Sequence, residues 1–342
     1  MRLIEKVWFR GHSAKWLLVP LLLPLTLLFY FISALRRALF TVGLKKSVTL
    51  TAPVIVVGNI GIGGNGKTPM VIYLVKLTRQ LGFKPGVISR GYGGNAPHYP
   101  YLLKEDTSAN IAGDEPVLIH QRCQVPVAVG SNRIASAQLL IEQGCNVIIS
   151  DDGLQHYRLA RALELIVVDA KRLFGNGFLL PAGPLREGRW RLNKSDLVIF
   201  NGSPNTELWP RKLTTPNAIM QLTAKVVCNI KTGERITLST FVQNNPQVNA
   251  IAGIGDPQRF FDTLSAQQLC LNNTQSFVDH HAFCLDDFSH FNDNIPLLMT
   301  EKDAVKCYGF SQAHWWYLPV DTRFSAIEQQ KITELLITKL AV

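Results

Sequence analysis

The chain reads as an α/β protein: a mostly parallel sheet with helices on both faces, a smaller C-terminal α/β domain, and an N-terminal membrane-associated helical segment. Three observations predict this. A glycine-rich loop joins a short apolar strand to a helical pattern. Further short apolar runs, several ending in acid, alternate with helical patterns. A twenty-residue stretch without a charge precedes them all.

The loop is Gly61-Ile62-Gly63-Gly64-Asn65-Gly66-Lys67-Thr68. It matches G-x-x-x-x-G-K-[ST], with Val54–Val57 as the strand before it and Met70–Val75 opening the helix after it. Glycines let backbone N–H groups curl round an anion, and the helix N-terminus adds partial positive charge. Gly61, Gly63, Gly64, Asn65, Gly66, Lys67 and Thr68 are therefore the candidate nucleotide-binding residues. Lys67 is placed to reach the β- and γ-phosphates and the Thr68 hydroxyl to hold Mg²⁺. The fold expectation is accordingly P-loop NTPase-like.

A length of 342 residues suggests about two domains, and a formal net charge of +10 suits an anionic partner: nucleic acid, an acidic membrane surface or a phosphorylated substrate. Six scattered cysteines form no C-x-x-C pair, so neither a zinc site nor a redox dithiol is indicated.

The uncharged stretch runs from Trp16 to Leu35, about the length of a bilayer-crossing helix. A cleaved signal peptide and a buried core helix are the competing readings. Arg2, Lys6, Arg10 and Lys15 precede the stretch, against Glu5, and Arg36, Arg37, Lys45 and Lys46 follow it. Basic flanks prefer the cytoplasm, where nucleotide is, and one crossing puts one of them on the wrong side. The favoured expectation is a segment that enters from the cytoplasmic face without crossing, its flanks on anionic headgroups, with a single span as the alternative. Pro20 and Pro24 fit a broken or bent helix.

Beyond the first helix, Pro85–Ser89 reads as a strand running into Arg90-Gly91-Tyr92-Gly93-Gly94, either a surface turn or a site loop. The carboxyl edge of such a sheet, where ligands sit, favours the latter. Gly113-Asp114-Glu115-Pro116 opens a helix. By itself its acidic pair reads as complementing the helix terminus rather than as catalytic. Val125–Val129 is the next strand, followed by the helix Arg133–Gln143. Val147–Ser150 then ends in Asp151-Asp152-Gly153, where a carboxylate at a strand tip can hold Mg²⁺. Strands Leu165–Asp169 and Asp196–Phe200 bracket Pro181–Arg189, whose arginines and carboxylate suit phosphoryl transfer. Asn193-Lys194-Ser195-Asp196 spells the guanine-reading N-K-x-D, but it precedes its strand instead of following one.

Composition shifts near residues 202–217, and the expected division is a membrane-associated segment 1–47, a nucleotide-binding domain 48–215 and a C-terminal domain 216–342. Ala218–Ile230 reads as a strand or hairpin. Val248–Gly255 reads as strand and turn, Pro257–Leu269 and Ile327–Leu340 as amphipathic helices, and Leu297–Met299 and Trp315–Leu318 as strands. Asp279-His280-His281 can bind metal, relay protons or cap a loop. Thr300 with Asp303 resembles a capping box.

Taken in order, these motifs resemble the tetraacyldisaccharide 4′-kinases of lipid A biosynthesis. The likeness runs over essentially the whole chain. It is carried by Gly61–Pro69, Ser89–Gly94, Gly113–Pro116, Asp151-Asp152-Gly153-Leu154-Gln155-His156-Tyr157-Arg158, Pro181–Glu187, Asp279-His280 and Thr300–Lys306. Gly188 stands where proline is frequent and Ala162 where aspartate is common, neither at a proposed chemical position. The resemblance implies ATP-dependent phosphorylation of the 4′-hydroxyl of a lipid A disaccharide 1-phosphate at the cytoplasmic face of the inner membrane. It implies ATP and Mg²⁺ as cofactors, the lipid and an anionic membrane surface as partners, and neither nucleic acid nor an obligate protein partner. It makes Asp114 the general base, paired with His280, with Lys67 and Arg186 also catalytic. Thr68, Asp151, Asp152, Glu187 and Gln155 match the metal site, and Arg90, Tyr92, Arg133 and Asp114 the substrate site. Because Asp114 and His280 lie in different halves, domain closure is expected to assemble the site. The other readings are a membrane-associated ATPase coupled to a protein partner and a GTP-dependent switch.

Overall fold

The computed structural model describes residues 3–204 and 213–340. Arg2, and residues 205–212 of the expected boundary, lie outside the described residues.

Two helices come first, α1 (Leu3–Phe9) and α2 (Lys15–Thr41). Helix α2 runs unbroken through Pro20 and Pro24, so of the expected broken or bent helix the break is absent. Each proline removes one N–H donor from the ladder, and the helix continues past both.

The main body follows as β1 (Val54–Gly58), α3 (Lys67–Gln80), β2 (Pro85–Ser89), β3 (Tyr101–Leu102), α4 (Ala109–Ala112), α5 (Asp114–Cys123), β4 (Val127–Val129), α6 (Arg133–Glu142), β5 (Val147–Asp151), β6 (Leu163–Asp169), β7 (Leu197–Asn201) and β8 (Asn217–Thr223). The C-terminal part adds β9 (Val226–Asn229), β10 (Arg235–Thr237), α7 (Leu238–Asn244), β11 (Gln247–Ala252), α8 (Pro257–Ala266), β12 (Cys270–Ser276), β13 (Leu297–Thr300), α9 (Glu301–Ala304), β14 (Trp315–Leu318), β15 (Asp321–Arg323) and α10 (Ala326–Leu340).

Among the described residues the first sheet has nine strands in the order β15-β8-β7-β6-β1-β5-β2-β4-β3. All its internal pairings from β8 to β4 are parallel, and the edge strands β15 and β3 pair antiparallel. Alternate residues of one strand feed opposite layers, as the pleat requires. Ile55 and Val57 pack with Met70, Leu74 and Ile119, while Val54 and Val56 pack with Ile134, Ala137 and Leu140. Burial on both faces is why these strands read as continuous apolar runs.

The second sheet runs β10-β9-β14-β13-β11-β12. Strands β8 and β9 stand in different sheets, so Ala218–Ile230 is not a hairpin. Strand β8 extends the first sheet beside β7, and β9 pairs with β10 and β14. The first sheet therefore continues past residue 215, the expected domain boundary, and the chain's end returns to it. Strand β15 pairs with β8, and Ile332, Leu336 and Leu340 of α10 enter the main core.

The two parts meet at the nucleotide-type loop. A Cβ added to Gly255 would lie 3.3 Å from the Gly64 amide nitrogen. Arg172 donates to the Gly255 carbonyl at 3.1 Å and pairs with Asp256 at 3.0 Å. Arg122 of α5 pairs with Glu301 of α9 and, at 2.6 Å, with Asp321.

Candidate active site

Strand β1 delivers the chain into Gly61–Gly66, and α3 starts at Lys67. Gly66 caps the helix at φ +94°, where a side chain would also strike Asn201. Asn201 donates to the Asn65 carbonyl at 3.2 Å and so braces the loop from β7. The other flank is held by Pro181–Glu187: Ile62 N–H bonds the Pro184 carbonyl at 2.9 Å, and Arg186 N–H bonds the Ile60 carbonyl at 2.7 Å.

The tip of β5 faces this loop. Asp152 has φ +48°, an uncommon conformation for a non-glycine residue and one often kept at functional sites. Its carboxylate lies 3.7 Å from Lys67 Nζ and 3.0 Å from Arg186 Nη1. Burial pushes the Asp152 carboxyl up, but Lys67 and Arg186 outweigh that and hold it below the usual range. Asp151 is buried, and neither of its carboxylate oxygens has a hydrogen-bond partner among the described residues. Burial, then the charge of Glu115, raises its carboxyl. Arg133, first residue of α6, is buried behind this tip and donates to the Asp151 carbonyl at 3.2 Å. Burial lowers its guanidinium to about 10.

Glu187 is buried in a cage of donors. Gln155 Nε2 is at 3.0 Å, the Tyr157 hydroxyl donates at 2.7 Å, and Arg191 Nε is at 3.2 Å. Arg191 in turn holds buried Glu164 at 2.5 Å.

The second cluster spans both parts of the chain. His280 Nδ1 lies 3.0 Å from both oxygens of Asp114, the first residue of α5. Lys302, from α9, is 3.0 Å from Glu115, 3.2 Å from Asp279 and 4.0 Å from Asp114. Burial alone raises the Asp114 carboxyl, yet the His280 hydrogen bond and the charges of Lys302, His280 and Lys306 bring it below its ordinary value. Burial lowers the His280 imidazole, and the Asp114 bond reverses that to a net rise. Lys302 is raised, its acidic neighbours overcoming burial. The Tyr92 ring lies 5.0 Å from the His280 ring.

One cavity of about 1750 Å³ joins these groups. Gly63–Thr68, Arg90, Tyr92, Asp152, Gln155, Arg186, Glu187, His280 and Lys302 line it, as do Phe29, Ile32, Arg36 and Arg37 of α2. Gly61, Asp114, Arg133 and Asp151 are not among its lining residues. The first pairs across to Leu185, and the other three are buried. His281 turns away, bonding Asp287 at 3.0 Å and stacking on Phe277. The N-K-x-D stretch is also structural: Asp196 accepts from Glu164 N–H and pairs with Lys339, at the start of β7, whereas the other end of that strand, Asn201, lines the cavity.

The sequence assigned no site role to Lys302, Tyr157, Arg172 or Arg191, and gave Glu115 only that of a helix-terminus acid. Lys302 had a signal, since Thr300 caps a helix at the end of a strand, where a basic residue on the first turn faces the ligand edge. The partners of Glu187 had none, because they come together only through tertiary packing.

The comparisons with known proteins agree with one another. The family model described as "Tetraacyldisaccharide-1-P 4'-kinase" matches residues 18–341. A tetraacyldisaccharide 4′-kinase from Colwellia psychrerythraea is 66% identical over 342 residues, covering 100% of this chain and 98% of the relative. One from Histophilus somni is 50% identical over 331 residues, covering 96% and 97%. A crystal structure of LpxK from Aquifex aeolicus in complex with ATP is 27% identical, with a TM-score of 0.76, covering 94% of this chain and 99% of that one. With matches of this extent, a P-loop flanked by a paired-acid strand tip and an Asp–His pair joining the two parts of the chain, the chain belongs to the tetraacyldisaccharide-1-P 4′-kinase family.

Proposed function

We propose that the chain transfers the γ-phosphoryl group of ATP to the 4′-hydroxyl of a tetraacyldisaccharide 1-phosphate, the reaction for which its family is named. The observation that carries the mechanistic reading is the shared cavity: loop Gly61–Thr68, the Asp114–His280 pair and helix α2 all border it or support its wall.

Lys67 and Arg186, both paired to Asp152, supply positive charge where the phosphates lie. The loop amides hold the donor, and Asn201 keeps the loop in shape. Asp114 takes the proton of the 4′-hydroxyl as its oxygen bonds to phosphorus and the bond from the γ-phosphorus to the bridging oxygen breaks, leaving ADP. A depressed carboxylate is a weak base, which suits a loose transition state where the proton leaves late. His280 orients Asp114, and its second nitrogen lies 3.4 Å from Lys302. Arg90, Tyr92 and Arg133 complete the proposed substrate side: the first two line the cavity, and Arg133 supports the Asp151 backbone.

The donor set fits Mg²⁺. Asp151 has two buried, unpartnered oxygens that call for a cation, Asp152 adjoins it, and Thr68 lies on the facing loop. Among the described residues no group of three or more His, Cys, Asp or Glu gathers, but Mg²⁺ commonly uses one or two carboxylates with water and phosphate. Thr68, Asp151 and Asp152 would hold it, with Glu187 and Gln155 fixed alongside by Tyr157 and Arg191. When bound, the ion neutralises charge on the transferring phosphate.

A lipid acceptor, the apolar helix α2 and its basic flanks support a location at the cytoplasmic face of the inner membrane. The test is incubation with ATP, Mg²⁺ and the disaccharide lipid, with mass analysis. A lipid gaining one phosphate is expected. ADP and free phosphate without a phosphorylated lipid would overturn the proposal in favour of a coupled ATPase.

A further inference from the structure

Helix α2 has one covered stripe and one wide open face. Thr26, Phe29, Ser33, Arg37 and Phe40 face the body, whereas Leu21, Leu25, Leu28, Phe31 and Leu35 are exposed. The body accompanies the helix for much of its length. Thr26 Oγ1 accepts the buried Ala182 N–H at 3.0 Å, Arg37 lies 4.9 Å from the Trp190 ring centroid, and Phe40 packs on Tyr157. From Thr26 to Phe40 is roughly 20 Å at the α-helical rise.

This packing decides how the helix can meet a bilayer. Thr26 is near the middle of the apolar run Trp16–Leu35. A helix crossing along its own axis would draw the non-helical backbone around Leu179–Ala182 into hydrocarbon, where its polar groups have no water. The part free of that backbone, Lys15–Leu25, spans only about 16 Å, against roughly 30 Å of hydrocarbon.

The same neighbouring segment carries two large exposed apolar side chains, Phe178 at 42% and Trp190 at 41% exposure. Trp190 is bracketed by cations, with Arg37 on one side and Lys194 Nζ 5.3 Å from its ring. An exposed tryptophan between cations beside an apolar helix face has the chemistry of an anionic bilayer's headgroup boundary.

We infer that Phe178 and Trp190 form a second membrane contact, seating the enzyme on an anionic phospholipid bilayer with α2 lying in the interface and not across it. The inference rests on the membrane location proposed above. It gives the loop between them a mechanical consequence. Arg186 lies on that loop and lines the cavity, so the depth at which the protein sits also sets how far the phosphate side of the cavity stands from the headgroups.

The test uses the full chain and flotation with vesicles of phosphatidylethanolamine and phosphatidylglycerol. Phe178→Asp and Trp190→Asp should each weaken partitioning about tenfold, the scale of losing one buried large apolar side chain. Trp190→Phe should keep most of the binding, and melting temperatures should match the parent's. Phe178→Ser and Trp190→Gln serve where an aspartate variant fails to fold. Variants that partition like the parent would overturn the second contact while leaving α2 as the anchor. A parent chain that ignores these vesicles would overturn the membrane location itself. The seat is read separately, with Ser13→Cys in a chain whose exposed Cys270 and Cys284 are serine. Labelling of this cysteine by an impermeant maleimide from outside intact spheroplasts would show a crossing helix and overturn the in-plane seat; protection is expected.

Discussion

His280 Nδ1 stands 3.0 Å from each carboxylate oxygen of Asp114, although 166 residues separate them. One residue opens α5 beside the first sheet, and the other follows β12 of the second sheet, so the pair exists only while the two parts are in contact. Asp114→Asn and His280→Ala should each lower kcat by about a hundredfold or more, the usual scale for positioned acid–base groups, with little change in the KM for ATP. Steady-state kinetics with ATP varied at saturating lipid checks this. A change confined to KM would make Asp114 a binding residue.

The pair also has a pH signature whose direction follows from the two shifts. Asp114 is depressed, so its contribution to stability is present above its unfolded value of about 4 and is lost as pH falls through the lower folded value. His280 is raised, so its contribution is fully present below about 6.5 and is lost as pH rises through the higher folded value. Asp279, Lys302 and the Tyr92 ring face the same imidazole. The melting-temperature difference between the parent and His280→Gln should therefore be largest near pH 5–6 and shrink above about pH 7. A difference that grows with pH would reverse the assignment of which partner carries the charge.

Lys302 joins Glu115 of the first part to Asp279 of the second. Lys302→Met should cost about 2 kcal/mol of stability, below the loss for a fully buried pair because both acids are partly exposed. It should also move the acid limb of the kcat profile to higher pH, since a charge that holds Asp114 ionised is gone. Lys302→Arg should restore the profile better than the stability. Loss of stability with an unmoved profile would confine Lys302 to a structural tie.

How much of this was legible in the sequence follows from how local each feature is. Gly61–Thr68 and the Asp151-Asp152 tip are contiguous, and their chemistry is written in the spacing of neighbours. The central strands β1, β2, β4, β5, β6 and β7 of the first sheet, buried on both faces, read as apolar runs within a residue or two of their ends. Asp114 looked like a helix-terminus acid because its partner lies 166 residues away. The return of β15 and α10 to the first sheet was illegible for the same reason: no local pattern says which sheet edge a late strand will join. The unbroken course of α2 through Pro20 and Pro24 depends on its surroundings, which a propensity argument does not contain.

Thr26 provides the most direct test of how the apolar helix α2 is coupled to the site. Its hydroxyl oxygen accepts the N–H of Ala182, a residue with no exposed surface, and donates to the Leu22 carbonyl at 3.1 Å. Thr26→Val keeps the shape and removes the acceptor, leaving a buried amide unpaired at a cost of about 1–3 kcal/mol. That amide begins the turn leading through Pro184, whose carbonyl holds Ile62 of the phosphate loop, to Arg186. The strain is thus delivered to the wall between α2 and the loop, away from the Asp114–His280 pair. The expected result is a lower melting temperature and a raised KM for the lipid, with kcat at saturation reduced less than by His280→Ala. Thr26→Ser, which retains the acceptor, should behave like the parent. Equal effects of valine and serine would show that the methyl group, and not the hydrogen bond to Ala182, ties the helix to the site.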